Sequence, residues 1–182
     1  MKPWVILCGL LMTAGSSQAA EPVPGTAAQP AILAAPAGMI KLDGRHAPAL
    51  KLSDLDGKKV DLAQSRGRWV LVHFWATWCG PCRREMPTLA KLMQAMPAER
   101  LSVVLVNTAE SEDDVFAFLA SVSPELGTLL DRDGQVTERW QPRGLPASFL
   151  VDPQGHLRYL VLGGREWASG PYLNFLRELT AK

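Results

Sequence analysis

The chain has 182 residues, 47% of them hydrophobic and 20% charged, the balance of a globular protein with room for one ordinary domain and a short extra segment. Its formal net charge is +1 and no basic run or stripe stands out, which argues against nucleic acid and anionic membrane surfaces as partners. Residues 1–19 read as a secretory signal: Lys2, then the eight apolar residues Val5–Met12 (VILCGLLM), then Ser17-Gln18-Ala19 as a small-x-small cleavage site. Eight apolar residues fall well short of the roughly 20 that span a bilayer. The expectation is therefore cleavage and export, to a periplasm or its equivalent, with no stable membrane anchor left behind. Cys8 lies inside the apolar stretch and not beside the cleavage site, where a lipid anchor would need it.

Residues 20–45 are rich in Ala, Pro and Gly and read as a flexible or loosely docked leader, with order expected from about Ala47 and one domain over residues 46–182. Ala49–Leu52 and Lys59–Leu62 alternate weakly around Asp56-Gly57, a hairpin signal. Trp69–Trp75 (WVLVHFW) is apolar on both faces except at His73, the pattern of a central, doubly covered strand. Cys79–Met96 reads as a helix with Leu89, Leu92, Met93 and Met96 as an apolar stripe. Pro81 fits its first turn, and Pro87 predicts a kink. Leu101–Val106 is a second buried strand. Val115, Phe116, Phe118 and Leu119 mark another helix that ends before Pro124, and Thr128–Leu130 is a short strand candidate. Phe149–Val151 and Leu157–Leu162 are strands joined by the turn Asp152-Pro153-Gln154-Gly155, and an amphipathic helix runs from about Pro171 to Leu179. Strands alternate with helices first and a hairpin comes late, which argues for an α/β fold around a mixed sheet.

The chemistry lies in Cys79-Gly80-Pro81-Cys82. Cleavage removes Cys8, leaving one pair of cysteines and no disulfide framework to build. Such a pair closes a tiny loop and adds little stability, so exchange chemistry explains it better than a staple does. The pair follows a buried strand and opens a helix, where unpaired N–H groups and the positive end of the helix dipole favour a thiolate at Cys79. Cys82, one turn in, is positioned to attack a mixed disulfide formed by Cys79. Zinc would need further ligands, yet there is no second Cys-x-x-Cys and the histidines, His46, His73 and His156, are scattered. Covalent haem attachment would need a histidine where Arg83 stands. A buried, inert disulfide remains the bland alternative.

Phe74–Pro87 (FWATWCGPCRREMP) resembles the active-site stretch of the TlpA/ResA-like thiol-disulfide oxidoreductases, exported members of the thioredoxin superfamily. Ala47-Pro48 with its hairpin, Arg143-Gly144-Leu145-Pro146 and Phe149–Gly155 (FLVDPQG) match in the same order, so the resemblance covers about residues 47–180. It implies a thioredoxin-like fold: a mixed central sheet flanked by helices, with an N-terminal β-hairpin and a strand–helix insertion. It implies Cys79 as the attacking thiolate, Cys82 as the resolving cysteine, and Pro146 as a cis-proline beside them. Leu145, before that proline, would present its backbone to an extended substrate chain, and Trp78, Gly80 and Pro81 would line the contact surface. Substrates would be proteins carrying disulfides, of the cytochrome c maturation or respiratory copper-site type. A membrane electron donor would keep the thiols reduced, and no cofactor is expected beyond the cysteine pair itself.

Two ionisable residues are candidates for proton handling. Glu85 follows Cys82 by one helical turn, and relatives that resemble this chain use a glutamate there to tune thiols or move protons; the alternative is an exposed helix carboxylate. His73 departs from the resemblance, since thioredoxin has a buried aspartate and TlpA-like proteins often have asparagine. A neutral imidazole could accept the Cys82 proton as a general base, or it could be a core histidine with a satisfied hydrogen bond. Trp78 is the tryptophan expected to act at the site, with Trp69, Trp140 and Trp167 expected in the core. Competing readings are a Cu(I)-binding assembly factor using the same thiolates, and an oxidase or isomerase on the same fold.

Overall fold

The β-branched and aromatic run Trp69–Trp75 forms the strand around which the domain is organised, β4, and its alternate residues enter two separate cores. The computed structural model describes Met1 and residues 34–168 and 170–181; the expected signal segment and the first part of the leader lie outside the described residues. In chain order the elements are β1 (Met39–Lys41), β2 (Lys51–Asp54), β3 (Lys59–Asp61), β4, α1 (Gly80–Ala95), β5 (Leu101–Thr108), α2 (Glu112–Val122), β6 (Leu129–Asp131), α3 (Gln135–Trp140), β7 (Ala147–Val151), β8 (Leu157–Leu162) and α4 (Gly170–Leu179). They make one mixed sheet of order β1-β8-β7-β4-β5-β6-β2-β3. The β4–β5 and β5–β6 pairs are parallel and the others antiparallel.

Leu71 and Trp75 of β4 enter one core with residues of α1, α2 and α4; Val70, Val72 and Phe74 enter the other, with Val136 and Trp140 of α3. His73 shares the face of Leu71 and Trp75, because side chains alternate along a strand. The expected hairpin forms as β2–β3 and pairs with β6 at one sheet edge. Its turn is closed by Asp54, whose carboxylate accepts the backbone N–H groups of Asp56 and Lys58. Between α2 and β7, β6 and α3 make the strand–helix unit.

Three differences from the sequence reading have local causes. Order begins before Ala47: residues 39–41 of the expected leader pair with β8, and the Tyr172 hydroxyl donates to the Ala37 carbonyl at 2.7 Å. Alanine and proline content does not reveal that ladder. The helix α3 of the implied strand–helix insertion does not show in the residue pattern, since six residues are too few to display an apolar stripe. Its start is fixed by the buried Asp131 carboxylate, which accepts the N–H groups of Val136 at 3.1 Å and Thr137 at 2.7 Å. Met93 is 40% exposed, because the buried stripe of α1 runs through Cys82, Glu85, Met86, Leu89 and Leu92 and leaves Met93 at its edge. The helix itself continues unbroken through Pro87.

Candidate active site

A short turn, Ala76–Trp78, carries the chain from the end of β4 to the tip of α1 and delivers Cys79 there. Cys79 is the N-cap residue: its Sγ accepts the N–H of Cys82 at 3.2 Å, and its carbonyl accepts the N–H of Arg83 at 3.1 Å. Pro81 occupies the first turn, where its missing N–H has no intrahelical partner to lose. The two cysteines are joined, with Sγ–Sγ 1.99 Å and Cα–Cα 5.2 Å. Cys79 keeps 5% of its surface exposed and Cys82 none, so the two sulfurs meet solvent unequally. Trp78, immediately before Cys79, is 70% exposed, whereas Trp75 is buried and donates from Nε1 to Thr128 Oγ1 at 3.0 Å.

The Leu145–Pro146 peptide is cis. Ala147 lies opposite Phe74 in the β4–β7 ladder, which sets Pro146 beside the end of β4, where the chain turns toward Cys79. Leu145 packs against both cores.

Below the cysteines, α1 brings Glu85 against the sheet face that carries His73. Glu85 is buried, so the exposed-carboxylate alternative does not hold. Its Oε1 accepts the Arg165 backbone N–H at 3.1 Å and the Trp167 indole N–H. Oε2 lies 4.0 Å from His73 Nε2, and neither atom has a hydrogen-bond partner among the described residues. On its other side the imidazole is held by Ser148, with Nδ1 2.8 Å from Oγ, a cross-strand pair of the β4–β7 ladder. Burial pushes the Glu85 carboxyl up to about 7, partly offset by the Trp167 and Arg165 N–H groups, which favour the charged form. Burial lowers His73 to about 3. Near neutrality, then, the imidazole is uncharged and the carboxyl is poised to gain or lose a proton.

A cleft of about 310 Å³ opens beside the tip of α1, lined by Pro81, Arg84, Glu85, Gly164, Arg165 and Glu166. A Cβ at Gly164 would meet Pro81 O at 3.5 Å and Glu85 Oε2 at 3.7 Å, so Gly164 keeps this wall of the cleft low. Glu110 binds the Ala76–Trp78 turn: Oε2 accepts the N–H of Thr77 at 2.7 Å and Nδ2 of Asn107 at 2.6 Å, and Oε1 accepts the Thr77 hydroxyl.

The sequence reading named Cys79, Cys82, Glu85, His73, Trp78, Gly80, Pro81, Leu145 and Pro146. It missed Ser148, Arg165, Trp167 and Glu110. Trp167 is buried as expected, yet its indole also serves the Glu85 carboxylate. Register in β7 would have exposed Ser148 only if β7 were known to lie beside β4. The short polar run after β5 was the one local hint of Glu110. No helix among the described residues is long and apolar enough to cross a membrane.

Comparison with known proteins agrees with this geometry. Residues 44–160 match the AhpC/TSA family. The thiol-disulfide oxidoreductase ResA of Bacillus subtilis is 34% identical over 121 residues, which cover 66% of this chain and 68% of that protein. A candidate thiol:disulfide interchange protein DsbE from Chlorobium tepidum superposes with a TM-score of 0.63 at 34% identity, covering 67% of this chain and 86% of that one. The thioredoxin domain of a thiol-disulfide oxidoreductase from Bacteroides vulgatus gives 0.65 at 29% identity, covering 75% and 96%.

Proposed function

The chain belongs to the AhpC/TSA family and is a thioredoxin-fold thiol-disulfide oxidoreductase, and from that premise we propose that it is an exported reductase of protein disulfides working through Cys79 and Cys82. The observation that carries this reading is the asymmetry of the pair: Cys79 caps α1 and meets solvent, whereas Cys82 is enclosed one turn behind it.

In this reading the Cys79 thiolate of the reduced protein attacks one sulfur of a client disulfide. The Cys79–client S–S bond forms, the client S–S bond breaks, and the departing client thiolate takes a proton from solvent. Cys82 then gives up its thiol proton and attacks Sγ of Cys79. The Cys79–Cys82 disulfide forms and the second client thiolate leaves. The Cys82 N–H that now reaches Sγ of Cys79 would remain to stabilise the thiolate. Glu85, its carboxyl raised to about 7, suits the proton from Cys82; His73, the other candidate through Nε2, is the weaker base, since burial lowers it to about 3. Pro146 and Leu145 would present backbone to an extended client segment, with Trp78, Gly80 and Pro81 beside it.

The client class we favour is the disulfide of an exported protein in cytochrome c maturation or respiratory copper-site assembly, with two electrons returned by a membrane donor. The signal-like residues 1–19 and the resemblance of Phe74–Pro87 support that assignment.

Trapping with Cys82→Ser tests the function. The variant should accumulate a mixed disulfide on Cys79 whose partner mass spectrometry identifies, and the wild type should reduce insulin. No adduct, together with no insulin reduction by the wild type, would sink the reading.

A further inference from the structure

When the Cys79–Cys82 disulfide opens, the covalent tie on the Cys79 side chain is lost, and its place at the tip of α1 then rests on the cap bonds from the Cys82 and Arg83 N–H groups and on the turn before it. That turn has one backbone hydrogen bond of its own, from Cys79 N to Ala76 O at 3.2 Å. Its other described ties converge on a single carboxylate. Glu110, in the β5–α2 connection, takes both the N–H and the hydroxyl of Thr77, and the same carboxylate takes Nδ2 of Asn107. Asn107 is buried and lies opposite Trp75 in the β4–β5 ladder, so it is fixed by the sheet. Ala109 is held at φ 55°, and its N–H donates to Asp131 O at 2.9 Å, which fixes the direction from which Glu110 reaches the turn. Glu110 thus ties the loop that carries the cysteine to the end of the neighbouring parallel strand.

Resting on the reading that Cys79 attacks as a thiolate, we propose that Glu110 is a positioning residue for it. The Glu110–Thr77 clamp keeps the Ala76–Trp78 turn in place in the reduced protein, so that Sγ of Cys79 stays at the cap position, in reach of the Cys82 N–H and of the helix dipole. Both of those lower the thiol pKa only while the sulfur stays there. The Glu110 charge acts the other way, since a nearby anion opposes a thiolate. Clamp and charge therefore have opposite signs and are separable by substitution. Glutamine at position 110 preserves the clamp and removes the charge: its carbonyl replaces Oε2 as acceptor for Thr77 N–H and Asn107, and its amide donates to the Thr77 hydroxyl, which accepts as readily as it donates. Alanine removes both.

The test is the pH dependence of Cys79 alkylation by iodoacetamide in the reduced full chain. Glu110→Gln should leave the midpoint at the wild-type value or below, and Glu110→Ala should place it about half a pH unit above that of Glu110→Gln. Thr77→Val, which removes the hydroxyl tie alone, should shift it in the same direction by less, and it serves if Glu110→Ala does not fold. The proposal is overturned if the Glu110→Ala midpoint does not lie above that of Glu110→Gln, if Glu110→Gln raises the midpoint above the wild-type value, or if Thr77→Val has no effect. A wild-type Cys79 that alkylates like an ordinary thiol and does not reduce insulin would instead defeat the oxidoreductase reading itself.

Discussion

His73 Nε2 and Glu85 Oε2 face each other across 4.0 Å of protein interior, and neither has a hydrogen-bond partner among the described residues. Buried polar atoms are seldom left so, because each forgoes its hydration without replacement. Here the two far sides are well held, the imidazole by Ser148 and the carboxylate by Trp167 and Arg165, so the two orphaned atoms are pinned toward each other. Other charged groups near this pair are Arg165 and Glu166 beyond the carboxylate, with Arg84 on the wall of the adjoining cleft.

Glu85→Gln should abolish the inflection near pH 7 in the rate of disulfide reduction and slow the reaction by about a hundredfold, the lower end of what a general acid or base contributes. Steady-state insulin reduction from pH 5.5 to 9 reads both. A variant with the same rate and the same inflection would remove Glu85 from proton handling.

The same substitution should change stability in one pH window. The folded protein keeps the Glu85 proton up to about 7, whereas the unfolded chain loses it near the ordinary 4.5. Between those values the folded state binds more protons, so the Glu85 contribution to stability falls as pH rises. Glu85→Gln should therefore gain on the wild type progressively from pH 4.5 to 7 and no further above it, by up to about 3 kcal/mol. Urea denaturation of the oxidised proteins across that range decides the matter; a constant difference would contradict the raised carboxyl.

His73 works in the opposite direction. Its folded value of about 3 lies below the ordinary 6.5, so the unfolded chain binds a proton that the folded one refuses. Stability from this residue is present above pH 6.5 and is lost as pH falls toward 3. His73→Asn should accordingly lose ground to the wild type least at low pH. If His73 takes the Cys82 proton, the variant will also slow the resolving step, seen as a longer-lived mixed disulfide in stopped flow. An unchanged lifetime and pH profile would leave His73 a core residue bonded to Ser148.

Trp140 probes the other core. It is fully buried, 5.5 Å from the Phe74 ring centroid and 5.3 Å from that of Phe149, on the sheet face away from the cysteines. Trp140→Ala should cost about 3–5 kcal/mol in denaturant titration through the cavity it leaves. The reduction potential, measured against glutathione, should not move. A shift in potential would mean that the two cores are coupled through β4.

Much of this protein is local and was legible in the order of its residues. The apolar run of β4, the turn residues of the β2–β3 hairpin, and the Cys-Gly-Pro-Cys segment at a strand-to-helix junction each follow from periodicity and backbone preference over a few neighbours. So does the position of Glu85 one turn beyond Cys82. What those preferences do not fix is which distant segment lies alongside. The pairing of β7 with β4 brings Ser148 to His73, the segment before α4 brings Arg165 and Trp167 to Glu85 across 80 and 82 positions of chain, and the parallel β4–β5 pair brings Glu110 to Thr77. Side-chain period tells which face a residue takes; strand order, set by the burial of two cores at once, tells what it meets there. The sulfur chemistry was written locally, and the fold supplied the groups that would move its protons and hold its turn.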